Sequence, residues 1–411
     1  MPDANQENPP DSRPHAPDSA ADPGSDLAFQ QDPVDVTDAA STARATSALA
    51  AAGEIAVDVE ADSMHAFAAR LCFVQVGTDE HIFLFDTLAP GVQTASLAAL
   101  FSDPARIKFF HAAGGDLQYL AEAGVRVANL FDTHLAATLL GWPKVGLADL
   151  VRERLGVTLA KEHQQADFSL RPLPPDLRAY IAGDVRYLCE IGRQTREACR
   201  TADILEEVEL ACRRQADEAV ARPAQAELRV KIPCERMSPA VHALAIAVAQ
   251  ALHEARLKWA EALDLPMGQV LSNAGILAVA QRRPESLKEL SRLRGVRGSL
   301  VREHGEELLA LIRALTEKSK RGELPPVEPP QGNRAEDAVR RQRQALLKAF
   351  RAEHAQTRGV TPHVVLPNAL LEELVEHPPR TVEELAKNPY FGDKRIALYG
   401  PALVTLLRSP G

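Results

Sequence analysis

The distribution of apolar positions divides the chain at about residue 200. Before that point, short apolar and β-prone runs are typical of buried strands, and they lie at 54–59, 71–76, 81–85 and 107–110. Helical stretches flank the last of these runs, and beyond residue 200 the strand signal nearly vanishes. The pattern predicts an α/β domain over residues 28–205, with an antiparallel meander first and crossover connections later.

The helical remainder contains an internal repeat. We predict a helical connector at 206–239, helical domains at 240–318 and 335–411, and a Pro-rich, extended linker at 319–334 between them. Residues of the first block recur 95 positions later in the second block, and this register holds without a gap from Val270 and Val365 onward. Examples are the pairs Asn273 and Asn368, Pro284 and Pro379, and Gly305 and Gly400. We interpret the blocks as two copies of one small domain.

Composition limits the class of protein. The chain has 411 residues, of which 45% are hydrophobic and 25% charged, and this length favours two or three domains. The sequence contains no apolar run near the roughly 18 residues of a membrane span, and its start lacks the features of a secretory signal. The five cysteines form no CxxC pair. We therefore expect a cytoplasmic protein without a membrane partner.

The negative charge is concentrated at the start of the chain. Nine acidic residues and one arginine within the first 38 residues account for eight of the nine net negative charges. Residues 1–27 also lack bulky apolar side chains, which predicts a disordered tail. The rest of the chain is close to neutral, so the overall charge does not exclude a polyanionic partner.

Four acids and a tyrosine lie where a fold could bring them together. Asp58 and Glu60 alternate on a predicted strand and point to one face. Asp116 begins a helix after a strand and a small-residue turn, and Tyr180 and Asp184 lie one helical turn apart. Two carboxylates at a strand end repel each other unless a cation neutralises them, which favours a metal site.

These motifs, in this order, resemble the three exonuclease motifs of the DEDDy 3′–5′ exonuclease superfamily. Two further stretches, Phe131-Asp132-Thr133 and Arg171-Pro172-Leu173, narrow the resemblance to ribonuclease D. The two helical blocks resemble HRDC domains. The resemblance implies a ribonuclease-H-like domain, with a mixed sheet and flanking helices, followed by two all-α HRDC-like domains.

The resemblance also implies a two-metal phosphodiesterase. Asp58, Glu60 and Asp184 would ligate one Mg²⁺ or Mn²⁺, and Asp58 would bridge to a second ion held by Asp116. Ions about 4 Å apart would stabilise the attacking and leaving oxygens. Tyr180 would orient the attacking water, and the products would be nucleoside 5′-monophosphates.

For this family the expected partner is RNA with a free 3′ end, tRNA precursors being the usual substrates, and we expect a monomer. Two alternatives stay open. The substrate could be DNA, with the HRDC-like domains acting as repair adaptors. The chain could also be a nucleic-acid-binding scaffold without activity, although all four acids and the tyrosine are present.

Basic residues are candidates for phosphate contact. Lys161 and Arg171 could touch substrate or serve surface and packing roles. In the first helical domain, four arginines cluster around two glycines, and such a cluster could contact phosphates without reading bases. Alternatively, the arginines could lie on a solvent-exposed face without a binding role. The four residues are Arg292, Arg294, Arg297 and Arg302.

Three features near the motifs lead to further expectations. His111 is expected to be a satisfied buried histidine rather than a ligand, and Asp132 with Thr133 to form a local capping pair. Phe168-Ser169 replaces the family's usual Trp-Ser pair, a mild change. The turn at 112–115 is expected to be more flexible than usual, and its flexibility would affect the geometry of the second metal site.

Overall fold

The computed structural model describes residues 31–159, 163, 165–221, 232, 237–325 and 334–408. The predicted tail, Lys161 and half of the Pro-rich linker fall outside these ranges. Within them, no helix has both the length and the apolar character needed to cross a bilayer.

A mixed sheet forms the centre of the first domain. Its strands are β1 Val34–Val36, β2 Glu54–Ala61, β3 Leu71–Gly77, β4 Ile82–Asp86, β5 Ile107–Phe110 and β6 Leu130–Asp132. The spatial order is β1-β4-β3-β2-β5-β6. Strands β2, β3 and β4 form an antiparallel meander, and β5 and β6 add in parallel beside β2. The predicted α/β class and the meander are confirmed.

Strands β1 and β6 are absent from the sequence-based prediction. Each has three residues, which is too short for alternation of apolar and polar positions to be recognised. Strand β1 extends the sheet through parallel pairing with β4, and β6 does so through pairing with β5.

Helices cover this sheet and continue beyond it. The first domain contains α1 Ala39–Leu49, α2 Ala98–Ser102, α3 Asp116–Glu122, α4 Thr133–Leu139, α5 Leu147–Leu155, α6 Pro175–Arg186, α7 Leu188–Thr201 and α8 Leu205–Ala221. A 3-10 turn at Thr94–Leu97 precedes α2.

The structure corrects the placement of α8, which the sequence assigns to a connector at 206–239. Val208, Cys212, Ala216 and Ala219 recur at helical spacing, and all four are buried in the core of the α/β domain. The many charged residues of this helix lie mainly on its other faces, and they conceal this apolar stripe in the sequence. The α/β domain therefore extends to Ala221.

The helical domains have matching elements. The first contains α9 Pro239–Leu263, α10 Met267–Val270, α11 Asn273–Arg282, α12 Leu287–Leu290 and α13 Gly298–Lys320. The second contains α14 Arg334–Arg358, α15 Pro362–Val365, α16 Asn368–Glu376, α17 Val382–Leu385 and α18 Asp393–Arg408. Every helix of the second domain begins 95 residues after its counterpart. The register thus extends back to α9 and α14, beyond the part visible in the sequence.

The repeat is also visible in individual contacts. Arg256 donates to the Leu271 carbonyl oxygen (3.0 Å) and to Asn273 Oδ1 (2.8 Å). Arg351, 95 residues later, donates to the Leu366 carbonyl oxygen (3.2 Å) and to Asn368 Oδ1 (2.8 Å). The same arginine–asparagine pair therefore joins the first helix of each domain to its third.

The second helical domain docks on α8 through a buried acid. The Glu207 side chain is 1% exposed, and its Oε1 lies 3.0 Å from Arg358 Nη1. Its Oε2 lies 3.3 Å from Lys394 Nζ. On the same interface, Thr361 Oγ1 donates to the Leu139 carbonyl oxygen at 2.9 Å. Two cations of one domain thus neutralise one buried anion of the other.

The first helical domain contacts the loop that follows β2. Asp264 Oδ1 accepts from the Phe67 backbone N–H at 3.1 Å, and Gln269 Nε2 donates to the Met64 carbonyl oxygen at 2.6 Å. The Phe67 ring packs against the core of this helical domain. The loop therefore links the strand that ends at Ala61 to the first helical domain.

We predict that Glu207→Ala lowers the free energy of unfolding by about 3 kcal/mol, because Arg358 and Lys394 lose their shared buried anion. Chemical denaturation measures the change. The matched control is Glu209→Ala on the same helix, where Glu209 forms an exposed ion pair with Arg196 and should cost less than about 1 kcal/mol. Equal losses in the two variants would contradict the docking role.

Candidate active site

Strand β2 places two carboxylates on one side of the sheet. Val57 and Val59 are buried in the core, and Asp58 and Glu60 alternate with them and are less buried. The pairing of β2 with β3 shifts register between Glu60 and Ala61. Irregularities of this kind end regular pairing and redirect the chain, often beside functional sites.

Helix α6 brings the third carboxylate to this strand. Leu177, Ile181 and Val185 recur at a spacing of four and are buried as α6 packs on β2 and β3. Gly77 permits this close packing, since a Cβ there would lie 3.0 Å from the Val185 carbonyl oxygen. Asp184 is thereby aimed at β2.

One carboxylate oxygen from each of Asp58, Glu60 and Asp184 lies within 4.8 Å of the others. The structure therefore brings together the three acids that the sequence assigns to one metal. Asp116 lies outside this group of three. Burial, followed by the charge of Asp58, raises the pKa of Asp116, so the fourth acid lies near the other three.

The turn before Asp116 is held by a buried aspartate. Asp132 Oδ1 accepts from the Ala112 backbone N–H (2.9 Å), and its Oδ2 accepts from that of Ala113 (3.0 Å). Ala112 has φ 61°, a left-handed conformation that needs such support. The expectation of a flexible turn is therefore not supported. The carboxyl ends of the parallel strands β5 and β6 meet here, which places Asp132 beside the turn.

Asp132 has a second role at the start of α4. Its Oδ1 accepts from the His134 backbone N–H at 2.9 Å and from that of Leu135 at 3.2 Å. This confirms the predicted capping interaction. The same carboxylate thus caps a helix and fixes the turn that carries Asp116, a dual role that the sequence analysis missed.

His111 is satisfied within the protein, as expected. Its Nδ1 lies 2.9 Å from Thr133 Oγ1, and its ring packs edge-on against His134 with centroids 5.4 Å apart. Burial lowers the pKa of His111 to about 4, so the imidazole is neutral at neutral pH. It nevertheless lines the cavity that contains the acids.

Burial and mutual repulsion destabilise the ionised acids. Burial raises the pKa of Asp58 to about 7 and, together with the charge of Asp58, that of Asp184 to about 8. Burial and then the charges of Asp58, Asp184 and Asp116 raise the pKa of Glu60 to about 9. A carboxylate cluster of this kind is the donor set that a hard divalent cation requires.

Asp58, Glu60 and Asp184 line a cavity of about 480 Å³, and Tyr180 lines the same cavity. Phe168 stacks on the Tyr180 ring with centroids 6.3 Å apart, and His163 contacts that ring edge-on at 5.7 Å. Burial, followed by the charge of Asp184, raises the pKa of Tyr180, so its hydroxyl stays protonated and can donate a hydrogen bond. Phe168 is 2% exposed and supports the tyrosine from one side.

The basic candidates have different environments. Arg171 forms a bidentate pair with Asp86, with Nε 2.6 Å from Oδ2 and Nη2 2.7 Å from Oδ1. Its other donors bind the carbonyl oxygens of Phe168, Leu170 and Cys72. This favours the packing role. Lys161 lies outside the described residues. The arginines of the first helical domain are exposed, and these are Arg292, Arg294, Arg297 and Arg302.

Comparisons with known proteins agree with this geometry. The 3′-5′ exonuclease family matches residues 33–197, and the HRDC domain family matches residues 245–312 and 341–407. Fold and site together define a 3′–5′ exonuclease that carries two HRDC domains.

The relatives identify the family. A ribonuclease D of Gluconacetobacter diazotrophicus is 31% identical over 84% of this chain and 87% of its own length. A ribonuclease D of Acidiphilium cryptum is 30% identical over 77% of this chain and 80% of its own length. The crystal structure of Escherichia coli RNase D, described as an exoribonuclease involved in structured RNA processing, superposes with a TM-score of 0.64 at 25% identity, covering 92% of this chain and 99% of that one. The chain belongs to the ribonuclease D family and is an exoribonuclease.

The raised pKa values predict how stability depends on pH. The folded protein retains protons that the unfolded chain releases near pH 4, so without metal its stability falls as the pH rises from about 4 towards 9. We expect a loss of about 3 kcal/mol or more in EDTA, most of it restored by Mn²⁺. Chemical denaturation across this pH range measures both effects.

In the same experiment, Asp184→Asn should flatten the pH dependence in EDTA and weaken the response to Mn²⁺. Asp176→Asn, an exposed acid on the same helix, should behave like the unmodified protein. If Asp184→Asn and Asp176→Asn gave the same curves, the carboxylate cluster would not be the source of the pH dependence.

Proposed function

We propose that Asp58, Glu60, Asp116 and Asp184 hold two divalent cations, Mg²⁺ or Mn²⁺, and that the protein shortens RNA from its 3′ end. The observation that carries this proposal is the convergence of three carboxylates, with oxygens within 4.8 Å of one another, in one cavity. Among the described residues, no salt bridge to a lysine, arginine or histidine side chain involves these acids. A cation is therefore the partner that the donor set lacks.

The bound cations would supply Lewis-acid stabilisation of charge on the scissile phosphate. The protein's own groups have separate roles. Asp58 and Glu60 on a central strand and Asp184 on α6 fix the positions of the ligand oxygens. Tyr180 donates its hydroxyl hydrogen bond into the same cavity and orients the attacking water. Nucleoside 5′-monophosphates are the products.

The substrate that we propose is a structured RNA with a free 3′ end, with tRNA precursors as the main class, acted on by a monomer in the cytoplasm. Three points support it: the family, the E. coli relative described as acting in structured RNA processing, and two HRDC domains in the same chain. The proposed metal site would contact the phosphate of the RNA rather than its bases, so we expect little preference for particular RNA sequences.

The exposed arginines of the first HRDC domain form part of the RNA-binding surface in this proposal. In the second domain the corresponding face docks on α8 and on the residues just before it, where Lys394 approaches Glu207 and Asp203. In the first domain the exposed Ser299 stands at the position of Lys394, and the exposed Arg297 stands at the position of Gly392. The same face of the module therefore meets anions in one copy and is open to a polyanion in the other.

The central experiment is digestion of a 3′-tailed tRNA and a matched DNA oligonucleotide, with Mg²⁺ or Mn²⁺ and with EDTA. We expect metal-dependent shortening of the RNA from the 3′ end and loss of activity in Asp58→Ala. Hydrolysis that survives Asp58→Ala would place the chemistry elsewhere. Faster digestion of the DNA would favour a DNA exonuclease instead.

We predict that Tyr180→Phe lowers kcat by about 100-fold, because the attacking water loses its orienting hydrogen bond. Affinity for Mn²⁺ should stay unchanged, since the carboxylates remain. Tyr119→Phe, a change of the same kind on α3, is the matched control and should retain full activity. An unchanged kcat in Tyr180→Phe would remove Tyr180 from the chemistry.

We predict that the double change Arg294→Gln and Arg297→Gln weakens RNA binding and lowers the slope of log Kd against log salt by about 1.4, about 0.7 for each lost contact. Binding is measured in EDTA with Asp184→Asn protein to prevent cleavage. The control removes two equally exposed charges farther along α13, through Arg313→Gln and Lys318→Gln. If the two pairs gave equal slopes, the arginines would not form a specific surface.

A further inference from the structure

Asp132 binds more of the backbone than a helix cap requires. It is 1% exposed and lies at the end of β6, directly before α4. Its carboxylate accepts from four backbone N–H groups, of which two belong to the start of α4 and two to the turn before Asp116. Capping of α4 accounts for the first two. The two hydrogen bonds to the turn indicate a separate role.

The cap of α1 shows how an aspartate serves a helix alone. Asp38 is exposed, and its carboxylate accepts from the backbone N–H of Ser41 at 2.6 Å and from the Ser41 hydroxyl at 2.7 Å. Burying a carboxylate costs free energy that an exposed cap does not incur. The burial of Asp132 is therefore not explained by the capping of α4.

The turn that Asp132 binds is strained and is joined to the helix that carries Asp116. Ala112 has φ 61°, a conformation that residues other than glycine rarely adopt. The Ala113 N–H donates to Asp132 Oδ2 at 3.0 Å, and the Ala113 carbonyl oxygen accepts from the Leu117 N–H at 3.0 Å. Leu117 follows Asp116 directly in α3. A single residue, Ala113, thus connects Asp132 to the first turn of this helix.

Asp132 is itself fixed by the core of the domain. Its backbone N–H donates to Cys212 Sγ of α8 at 3.3 Å, and it pairs with Phe110 in the parallel ladder of β5 and β6. The next residue, Thr133, donates from Oγ1 to the Phe110 carbonyl oxygen at 2.9 Å. The carboxylate therefore holds the turn from a rigid position.

We infer that Asp132 is a positioning residue for the second divalent cation, the one that Asp116 would hold. Asp132 acts through the backbone of the turn at 112–115, which sets where α3 begins. The acids proposed for the first cation lie on β2 and α6 and do not depend on this turn. Loss of Asp132 should therefore affect one ion and not the other. The inference rests on the two-cation site of the proposed function.

The test counts the Mn²⁺ ions bound per chain, by titration of the full-length protein with the EPR signal of free Mn²⁺ as the readout. We expect two ions in the unmodified protein. Asp132→Asn should bind one ion with unchanged affinity and the other at least about tenfold more weakly, as when groups behind metal ligands are lost. Combined with Asp116→Asn, it should cause no loss beyond that of Asp116→Asn alone, because both changes act on one site.

A second variant strains the same turn without changing a charge. Ala112 is exposed, so Ala112→Val meets little steric resistance, but a β-branched residue strongly disfavours φ 61°. It should weaken the second ion as Asp132→Asn does, even if Asp132→Asn folds poorly. Since the charge of Asp132 remains, this variant separates positioning from simple attraction between Asp132 and a cation.

Two controls match these variants. Ala112→Gly accommodates the left-handed conformation and should bind both ions like the unmodified protein. Asp38→Asn weakens a helix cap of the same kind outside the site, so it should lower stability and leave both ions bound.

The possible results separate the inference from the proposed function. If the unmodified protein bound two ions and Ala112→Val bound both with unchanged affinity, the positioning role of Asp132 would be refuted while the two-cation site would stand. Equal weakening of both ions in Asp132→Asn would also refute it, because the change would then act on the whole domain. If the unmodified protein bound fewer than two ions, the proposed site and the inference would both be wrong.

Discussion

The clustering of desolvated carboxylates is the constraint on which the rest of this structure depends. Asp58, Glu60 and Asp184 come from a strand and a helix that are far apart in sequence. Burial opposes the ionisation of each of them, and the charges of neighbouring acids add to this effect at Glu60 and Asp184. Isolated carboxyl groups would move apart or stay protonated. Here the backbone prevents separation, because β2 is paired on both sides and α6 packs against it through an apolar face. Holding the carboxylates together without a metal costs free energy, and the binding of cations would offset this cost.

The sequence was sufficient to predict elements with a long hydrophobic pattern and motifs with several catalytic-type residues close together. The central strands, the order of the motifs and the repeat of 95 residues were all visible in it. It was insufficient where a structural role depends on a neighbour in space. Asp132 was recognised as a helix cap, but its hold on the turn before Asp116 depends on two parallel strands ending side by side. Arg171 was open to two interpretations until its pairing with Asp86 was known.

The two HRDC domains show how one fold can be used for different contacts. The shared interior is retained, including the arginine–asparagine pair that joins the first and third helices of each copy. The surfaces differ: the second copy has Arg358 and Lys394 against a buried acid, whereas the first has exposed arginines on the corresponding side. The sequence repeat predicted like folds, and the smaller number of basic residues in the second copy indicated a packing role for it, but the residues that it packs against became known only from the docking contacts.

Helix α8 connects the site to the second HRDC domain. Near its start, Glu207 binds the cations of that domain. One turn and a half later, Cys212 Sγ accepts from the backbone N–H of Asp132 at 3.3 Å, and Asp132 in turn fixes the turn that carries Asp116. The position of the fourth acid thus rests on a helix that the second HRDC domain anchors from its other side. A helix that carries both contacts has to belong to the core of the α/β domain, because a mobile connector could not transmit a fixed position to the site.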